Sequence, residues 1–247
     1  MGDKTGIEWT DRTWNPITGC TKISAGCKNC YAERQAERLQ RMGNKRYVNG
    51  FNVTVHTDKF EEPLRWGKEQ MVFVNSMSDL FHKDVWDSII DRIFETMVKA
   101  DKHVFQVLTK RAARMKKYVN ERGDLAGEDC RHVWLGTSVE SEKALYRVDH
   151  LRETNIPTKF LSIEPLIGPL PNLDVTGIDW VIVGGESGPG CRPMEKEWVE
   201  EIQEKCAAAG VPFFFKQWGG LNKKAAGREL NGKTYSEWPT YFKGLSV

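Results

Sequence analysis

Three cysteines fall within eleven residues: Gly19-Cys20-Thr-Lys-Ile-Ser-Ala-Gly26-Cys27-Lys-Asn-Cys30-Tyr31. Their spacing is C-x6-C-x2-C, and they are three of the chain's six cysteines. Three thiolates on one loop suit a [4Fe–4S] cluster that leaves one iron open to a further ligand. Gly19 and Gly26 let the backbone curl closely around sulfur. Two other chemistries use such cysteines. A structural zinc site takes four protein ligands, and the first histidine after the triplet is His56. A disulfide would leave one thiol odd. Iron–sulfur is the preferred reading, with zinc the main alternative. Cys206 lies in an Ala-rich stretch and reads as core packing, while Cys191 follows a Gly-Pro-Gly turn and its role stays open.

Other polar residues sit where short apolar runs end. Asn75 and Ser76 follow Val-Phe-Val, and Ser78 and Asp79 come just after. Lys110 follows Val-Leu-Thr, and Thr137, Ser138 and Glu140 follow Trp-Leu-Gly. Glu164 follows Phe-Leu-Ser-Ile, Gly184-Gly185-Glu186 follows Val-Ile-Val, and Lys216 follows Phe-Phe-Phe. In parallel β/α barrels, active sites form at the carboxyl ends of the strands.

The elements that must carry these residues alternate. Strands are expected at Thr13–Thr18, Asn52–His56, Met71–Asn75, His103–Thr109, His132–Thr137, Thr158–Ile163, Trp180–Val183 and Pro212–Lys216. Near-continuous apolar runs are typical of strands buried on both faces. Between them, Asp84 to Ala100 reads as an amphipathic helix. Ser141 suits an N-cap, and Gly210 suits the end of a helix that begins near Glu197. The expected fold is α/β, a partial or complete TIM-like parallel β/α barrel with the cysteine loop after its first strand. It forms one domain over residues 1–247, with 219–247 as a capping tail.

Net charge is +2 from 36 basic and 34 acidic side chains, far from the excess of a dedicated nucleic-acid binder. The cluster Lys110, Arg111, Arg114, Lys116 and Lys117 reads as a solvated helix face. Trp9, Trp14 and Trp218 are candidates to stack on adenine or a base. Trp86, Trp180 and Trp198 read as packing residues. With no apolar run near the ~20 residues of a membrane span and no signal-peptide core, the expectation is a cytoplasmic protein without membrane contact.

The triplet in its setting resembles the radical S-adenosylmethionine (radical SAM) enzymes. Asn15-Pro16, Asn75-Ser-Met-Ser-Asp79, Leu108-Thr-Lys110, Gly136-Thr-Ser-Val-Glu140, Ser162-Ile-Glu-Pro165 and Val183-Gly-Gly-Glu-Ser187 make it more specifically similar to phage- and mobile-element-associated three-cysteine proteins. Pieces also resemble the spore photoproduct lyase branch. The chain departs from the usual C-x3-C-x2-C motif: its first gap is six residues, and Asn29 stands where an aromatic usually precedes the last cysteine.

The resemblance implies that Cys20, Cys27 and Cys30 hold a [4Fe–4S] cluster whose open iron binds S-adenosylmethionine. It implies cofactor-binding roles for Ser76, Ser78, Asp79, Thr137, Ser138 and Glu140. Glu164, Glu186 and Lys110 are then the catalytic candidates. A ferredoxin- or flavodoxin-like reductant and a partner encoded nearby are expected, and the substrate guess is a nucleoside or nucleic acid. The other reading is a non-catalytic metal-binding module, zinc or iron–sulfur, that serves structure or partner binding.

Overall fold

The computed structural model describes residues 5–239. In chain order the elements are β1 Arg12–Trp14, β2 Ile17–Thr18, α1 Tyr31–Arg41, β3 Thr54–Val55, β4 Met71–Val74, α2 Asp87–Lys99, β5 Val104–Thr109, α3 Ala112–Arg122, β6 Val133–Ser138, α4 Tyr146–Arg152, β7 Thr158–Ile163, β8 Trp180–Gly184, α5 Lys196–Ala209, β9 Phe213–Gln217, α6 Lys223–Ala226, β10 Glu229–Leu230 and β11 Lys233–Thr234. Seven strands form one sheet in the order β1-β4-β5-β6-β7-β8-β9. Alternating strands and helices give the parallel β/α class expected. Seven strands, against the eight of a complete barrel, match the partial form. Every residue of β4, β6 and β8 is buried, which is why β4 and β8 are near-continuous apolar runs and β6 begins with Val-Trp-Leu.

The chain divides into two compact units. The first holds residues up to Ile23, Cys30–Leu135 and Thr154–Thr158. In it β1 pairs with β4 and β4 with β5, both parallel. Helix α2 buries Ile90, Ile93, Phe94 and Met97, the stripe expected from its spacing. Helix α3 ends at Gly123, whose φ of 75° is the left-handed conformation that closes a helix.

The second unit holds Ser24–Asn29, Gly136–Glu153 and the chain from Lys159. Its strands β7, β8 and β9 pair in parallel. Helix α5 ends at Gly210 with φ 67°, as expected. Beyond it, Phe215 donates its backbone N–H to Tyr235, and Glu237 donates to Phe213. The segment after Gly219 therefore covers the free edge of β9, and Trp238 stacks on Trp180 at 4.7 Å. Of the tail expected over 219–247, residues 240–247 lie outside the described residues.

Several expectations are corrected. The strand expected over Thr13–Thr18 breaks at Asn15-Pro16, because proline has no N–H for the ladder. Only Arg12–Trp14 joins the sheet. Ile17–Thr18 pairs antiparallel with Thr54–Val55, so the strand expected at 52–56 is a short partner of the cysteine-loop stem rather than a sheet strand. Ser141 makes no side-chain cap, and a single 3-10 turn intervenes before α4. Trp9 and Trp14 are 2% and 1% exposed; they pack in the core and have no face for a ligand. Trp86 is 76% exposed at the start of α2, so it packs neither core nor helix–sheet interface.

Candidate functional site

In the first unit the cysteine loop opens from a fixed stem. Gly19 has φ 85°, and a Cβ there would lie 2.2 Å from the Asn52 carbonyl oxygen, so only glycine fits. Gly19 donates its N–H to Met77 O at 2.9 Å, and Cys20 donates to Phe51 O at 3.1 Å. The loop therefore starts beside the carboxyl end of β4. Asn75, at φ 59°, turns the chain out of that strand, and its side-chain oxygen accepts from the Ile17 N–H. Ser78 donates its hydroxyl to Ile17 O and Ser76 to Asn15 Oδ1. Both hydroxyls thus tie this strand end to the stem. Tyr31, next to Cys30, donates its hydroxyl to Ser76 O.

Asp79 is buried and fully engaged. Its Oδ1 accepts from Thr109 Oγ1 at 2.7 Å and from the Phe81 N–H; its Oδ2 accepts from the Lys110 N–H and from Arg111 Nη1 at 2.8 Å. Arg111 then reaches the loop. Nη1 lies 3.5 Å from Cys20 Sγ, and Nη2 donates to Thr21 O and Thr21 Oγ1. The residue at the start of α3 is therefore a partly buried ion-pair partner and not part of a solvated face. Arg114 likewise bonds the carbonyls of His82 and Val85 and the Asp87 carboxylate. Lys117, 73% exposed, does fit the solvated reading.

Burial and the charge of Asp79 push the Cys20 thiol up, while Arg111 pulls it back. His82 sits beside Thr21 with Nε2 2.8 Å from Thr21 Oγ1. Its Nδ1 accepts from the Asp84 N–H, so Nε2 carries the proton in the neutral ring. Burial and then Arg111 lower its pKa and keep it neutral. No spacing in the C-x6-C-x2-C run points to Arg111 beside Cys20 or to His82 beside Thr21.

The second unit holds the middle of the loop, Ser24–Asn29. A 3-10 turn, Ala25–Cys27, carries Cys27, whose Sγ is 3.7 Å from Ser24 Oγ. Glu140 and Arg147 are each 2% exposed and pair at 2.8 Å. Arg147 also donates to Ser138 O, which fixes the end of β6, and Thr137 is buried there. Glu140 Oε1 stands 3.4 Å from the Gly26 N–H.

At the end of β8, Glu186 Oε2 accepts from Asn29 Nδ2, the Arg192 N–H and Arg192 Nε, each at 2.9 Å, and Oε1 accepts from Arg192 Nη2 at 2.5 Å. Burial alone would raise this carboxyl; the bonds from Arg192 and Asn29 outweigh it and hold the pKa down to about 2. Gly184 and Gly185 are needed for space rather than for a turn. A Cβ on Gly184 would meet the Glu164 carboxylate at 2.5 Å, and one on Gly185 the Trp218 carbonyl oxygen at 2.0 Å. Glu164 pairs with Lys216 at 2.9 Å. Trp218 is half-buried, its ring against Phe215 and its Nε1 donating to Glu229 O.

None of the six cysteines, all among the described residues, is in a disulfide; Cys20, Cys27, Cys30 and Cys191 are partly accessible, and Cys130 and Cys206 are buried. Cys206 is core packing, as its Ala-rich surroundings suggest. Among the described residues, no group of three or more His, Cys, Asp or Glu side chains stands close enough to hold a metal ion. A cubane asks for a different arrangement, since its three thiolates sit on three separate irons. The described helices include none long and apolar enough to cross a membrane.

Among solved structures, spore photoproduct lyase complexed with dinucleoside spore photoproduct is similar, with a TM-score of 0.49 and 12% identity over 83% of this chain and 63% of that one. A cysteine double variant of the lyase with bound AdoMet and dinucleoside spore photoproduct gives 0.47 and 11% over the same shares. The chain thus spans about 63% of the length of these structures. No curated protein matches the sequence. A family model covers nearly all of it, residues 4–239, and the chain belongs to that family, described as "Protein of unknown function (DUF5131)".

Proposed function

We propose that this chain is an iron–sulfur enzyme of the radical SAM type. The observation that carries the reading is the loop itself: three partly accessible thiols, none in a disulfide, within eleven residues, on a stem fixed at Gly19 beside a strand end. The donor set fits the group. Cys20, Cys27 and Cys30 would hold a [4Fe–4S] cluster, and three thiolates leave one iron for an exchangeable ligand. With cluster and S-adenosylmethionine bound, the cofactor supplies a carbon radical by reductive cleavage.

The chain's own residues orient and shield. Arg111 brings a cation to Cys20 Sγ, so it favours the thiolate that a ligand must be. His82 and Arg111 together fix Thr21. Ser76, Ser78 and Asp79 are proposed to serve the cofactor through the strand end they tie down; Thr137, Ser138 and Glu140 are proposed as cofactor-binding residues on the sequence resemblance. Lys110, at the end of β5, and the Glu164–Lys216 pair are proposed to meet polar groups of cofactor or substrate. The proposed substrate, a nucleoside or nucleic acid, rests on the sequence resemblance. A ferredoxin- or flavodoxin-like donor would supply the electron.

Anaerobic reconstitution tests the reading. The expected result is a brown protein with about four irons per chain that, once reduced, converts S-adenosylmethionine to 5′-deoxyadenosine. Cys20→Ala, Cys27→Ala and Cys30→Ala should each abolish both. Colourless protein holding one zinc, with S-adenosylmethionine intact after reduction, would overturn it in favour of a metal-binding module.

A further inference from the structure

Glu186 ends the Gly-Gly-Glu run, where the sequence suggests catalysis, yet its bonding is that of a fastener. Four hydrogen bonds saturate its carboxylate, three of them from Arg192. The fourth comes from Asn29, which stands two residues after Cys27 and just before Cys30. The same Asn29 amide group donates to Gly190 O at 2.7 Å. Both acceptors of Asn29 therefore belong to the 186–192 segment. Burying a carboxylate this deeply (Glu186 is 6% exposed) costs free energy unless it is fully bonded. Here the bonding fixes a side chain within the cysteine loop. Glu140 acts on the other side of Cys27. Its carboxyl carbon would lie 3.1 Å from a Cβ on Gly26, so Gly26 is glycine because Glu140 packs on it.

We propose that Asn29, Glu186 and Arg192 form a positioning network that pins the turn carrying Cys27 before any cluster is bound, with Glu140 as its packing stop at Gly26. What the turn is pinned for rests on the iron–sulfur reading; the pinning itself does not. Asn29 also stands at the position before the last cysteine, where an aromatic is usual in the resembling enzymes. A polar tether at that point holds a turn whose preceding gap is six residues long.

The test uses metal-free, full-length protein. Cysteines are pulse-labelled with N-ethylmaleimide under native conditions, and each peptide is quantified by mass spectrometry. Asn29→Ala removes two hydrogen bonds, one to an ionised acceptor, without touching the Glu186–Arg192 pair. Labelling of Cys27 should rise by about tenfold or more, with Cys20, held in the other unit, changing by less than about twofold. Equal Cys27 rates in wild type and Asn29→Ala would overturn the proposal.

Glu186→Gln gives a second entry point. If the residues act as one chain of contacts, Asn29→Ala/Glu186→Gln should label like Asn29→Ala alone; fully additive effects would overturn the network. A third arm reconstitutes both proteins with iron and sulfide and follows iron loss to a chelator. Asn29→Ala should lose iron several-fold faster, and equal loss would refute the link to the cluster. Wild type that takes up no iron would remove the iron–sulfur reading and leave the labelling result standing.

Discussion

Glu186→Gln should cost stability by an amount that depends on pH in a calculable way. The folded-state carboxyl sits near pKa 2, against an ordinary value of 4.5. A depressed carboxyl stabilises the fold above the unfolded pKa, and that contribution is lost as pH falls through the folded one. A gap of about 2.5 units at about 1.4 kcal/mol per unit gives roughly 3 kcal/mol at pH 7. The same linkage leaves about 1.4 kcal/mol at pH 3 and under about 0.5 at pH 2. Against a total stability of about 5–15 kcal/mol, the pH 7 figure is large. Urea unfolding of wild type and Glu186→Gln at pH 7, 5, 4 and 3 measures it. The two curves should be well separated at pH 7 and converge below pH 4. A gap of constant size from pH 7 to pH 3 would refute the argument, because it would show lost packing rather than lost charge.

Two further outcomes follow from other contacts. Arg111→Gln removes the cation from Cys20 Sγ, so the reconstituted cluster should have a more negative midpoint potential in an EPR-monitored titration; an unchanged potential would count against Arg111 as its tuner. Gly185→Ala forces a methyl group against the Trp218 carbonyl and should cost about 1–3 kcal/mol in urea unfolding, whereas Trp86→Ala, at an exposed position, should stay within about 0.5; the reverse order would overturn the packing assignments.

The parts of the fold that could be read from sequence are those set by local pattern. Trp180–Val183 is a strand to within one residue of the bounds expected, because a fully covered strand needs an unbroken apolar run. The Gly210 helix end has a purely local cause, the left-handed residue. What escaped depends on distant partners. Arg111 precedes a helix with solvated lysines, and Asp79, 32 residues earlier in the chain, draws it inward together with Cys20 and Thr21. Asn29 and Glu186 meet across 157 residues, a pairing that neither the cysteine spacing nor the Gly-Gly-Glu run contains. Tryptophans near strand ends can serve a core or a ligand, and for Trp9 and Trp14 burial decided for the core. Pro16 was visible, yet it splits one apolar run into a sheet strand and a loop stem.

The strand-end carboxylates bear on the kind of chemistry the site can support. Asp79 is paired with Arg111 in the first unit; Glu140, Glu164 and Glu186 are paired with Arg147, Lys216 and Arg192 in the second. General acid–base catalysis needs a carboxyl or imidazole that can gain and lose a proton near neutral pH. Glu186 is held ionised, its pKa kept down at about 2 by the bonds from Arg192 and Asn29, and must break that pair to take a proton. Acid–base chemistry at Glu186 would therefore have to dismantle the Glu186–Arg192 pair in each turnover. Chemistry that begins with an electron and moves a hydrogen atom asks for no such proton carrier. It asks for thiolate ligands and a fixed loop to hold them, and the Glu186–Arg192 pair, bonded to Asn29 between Cys27 and Cys30, is suited to supplying the second.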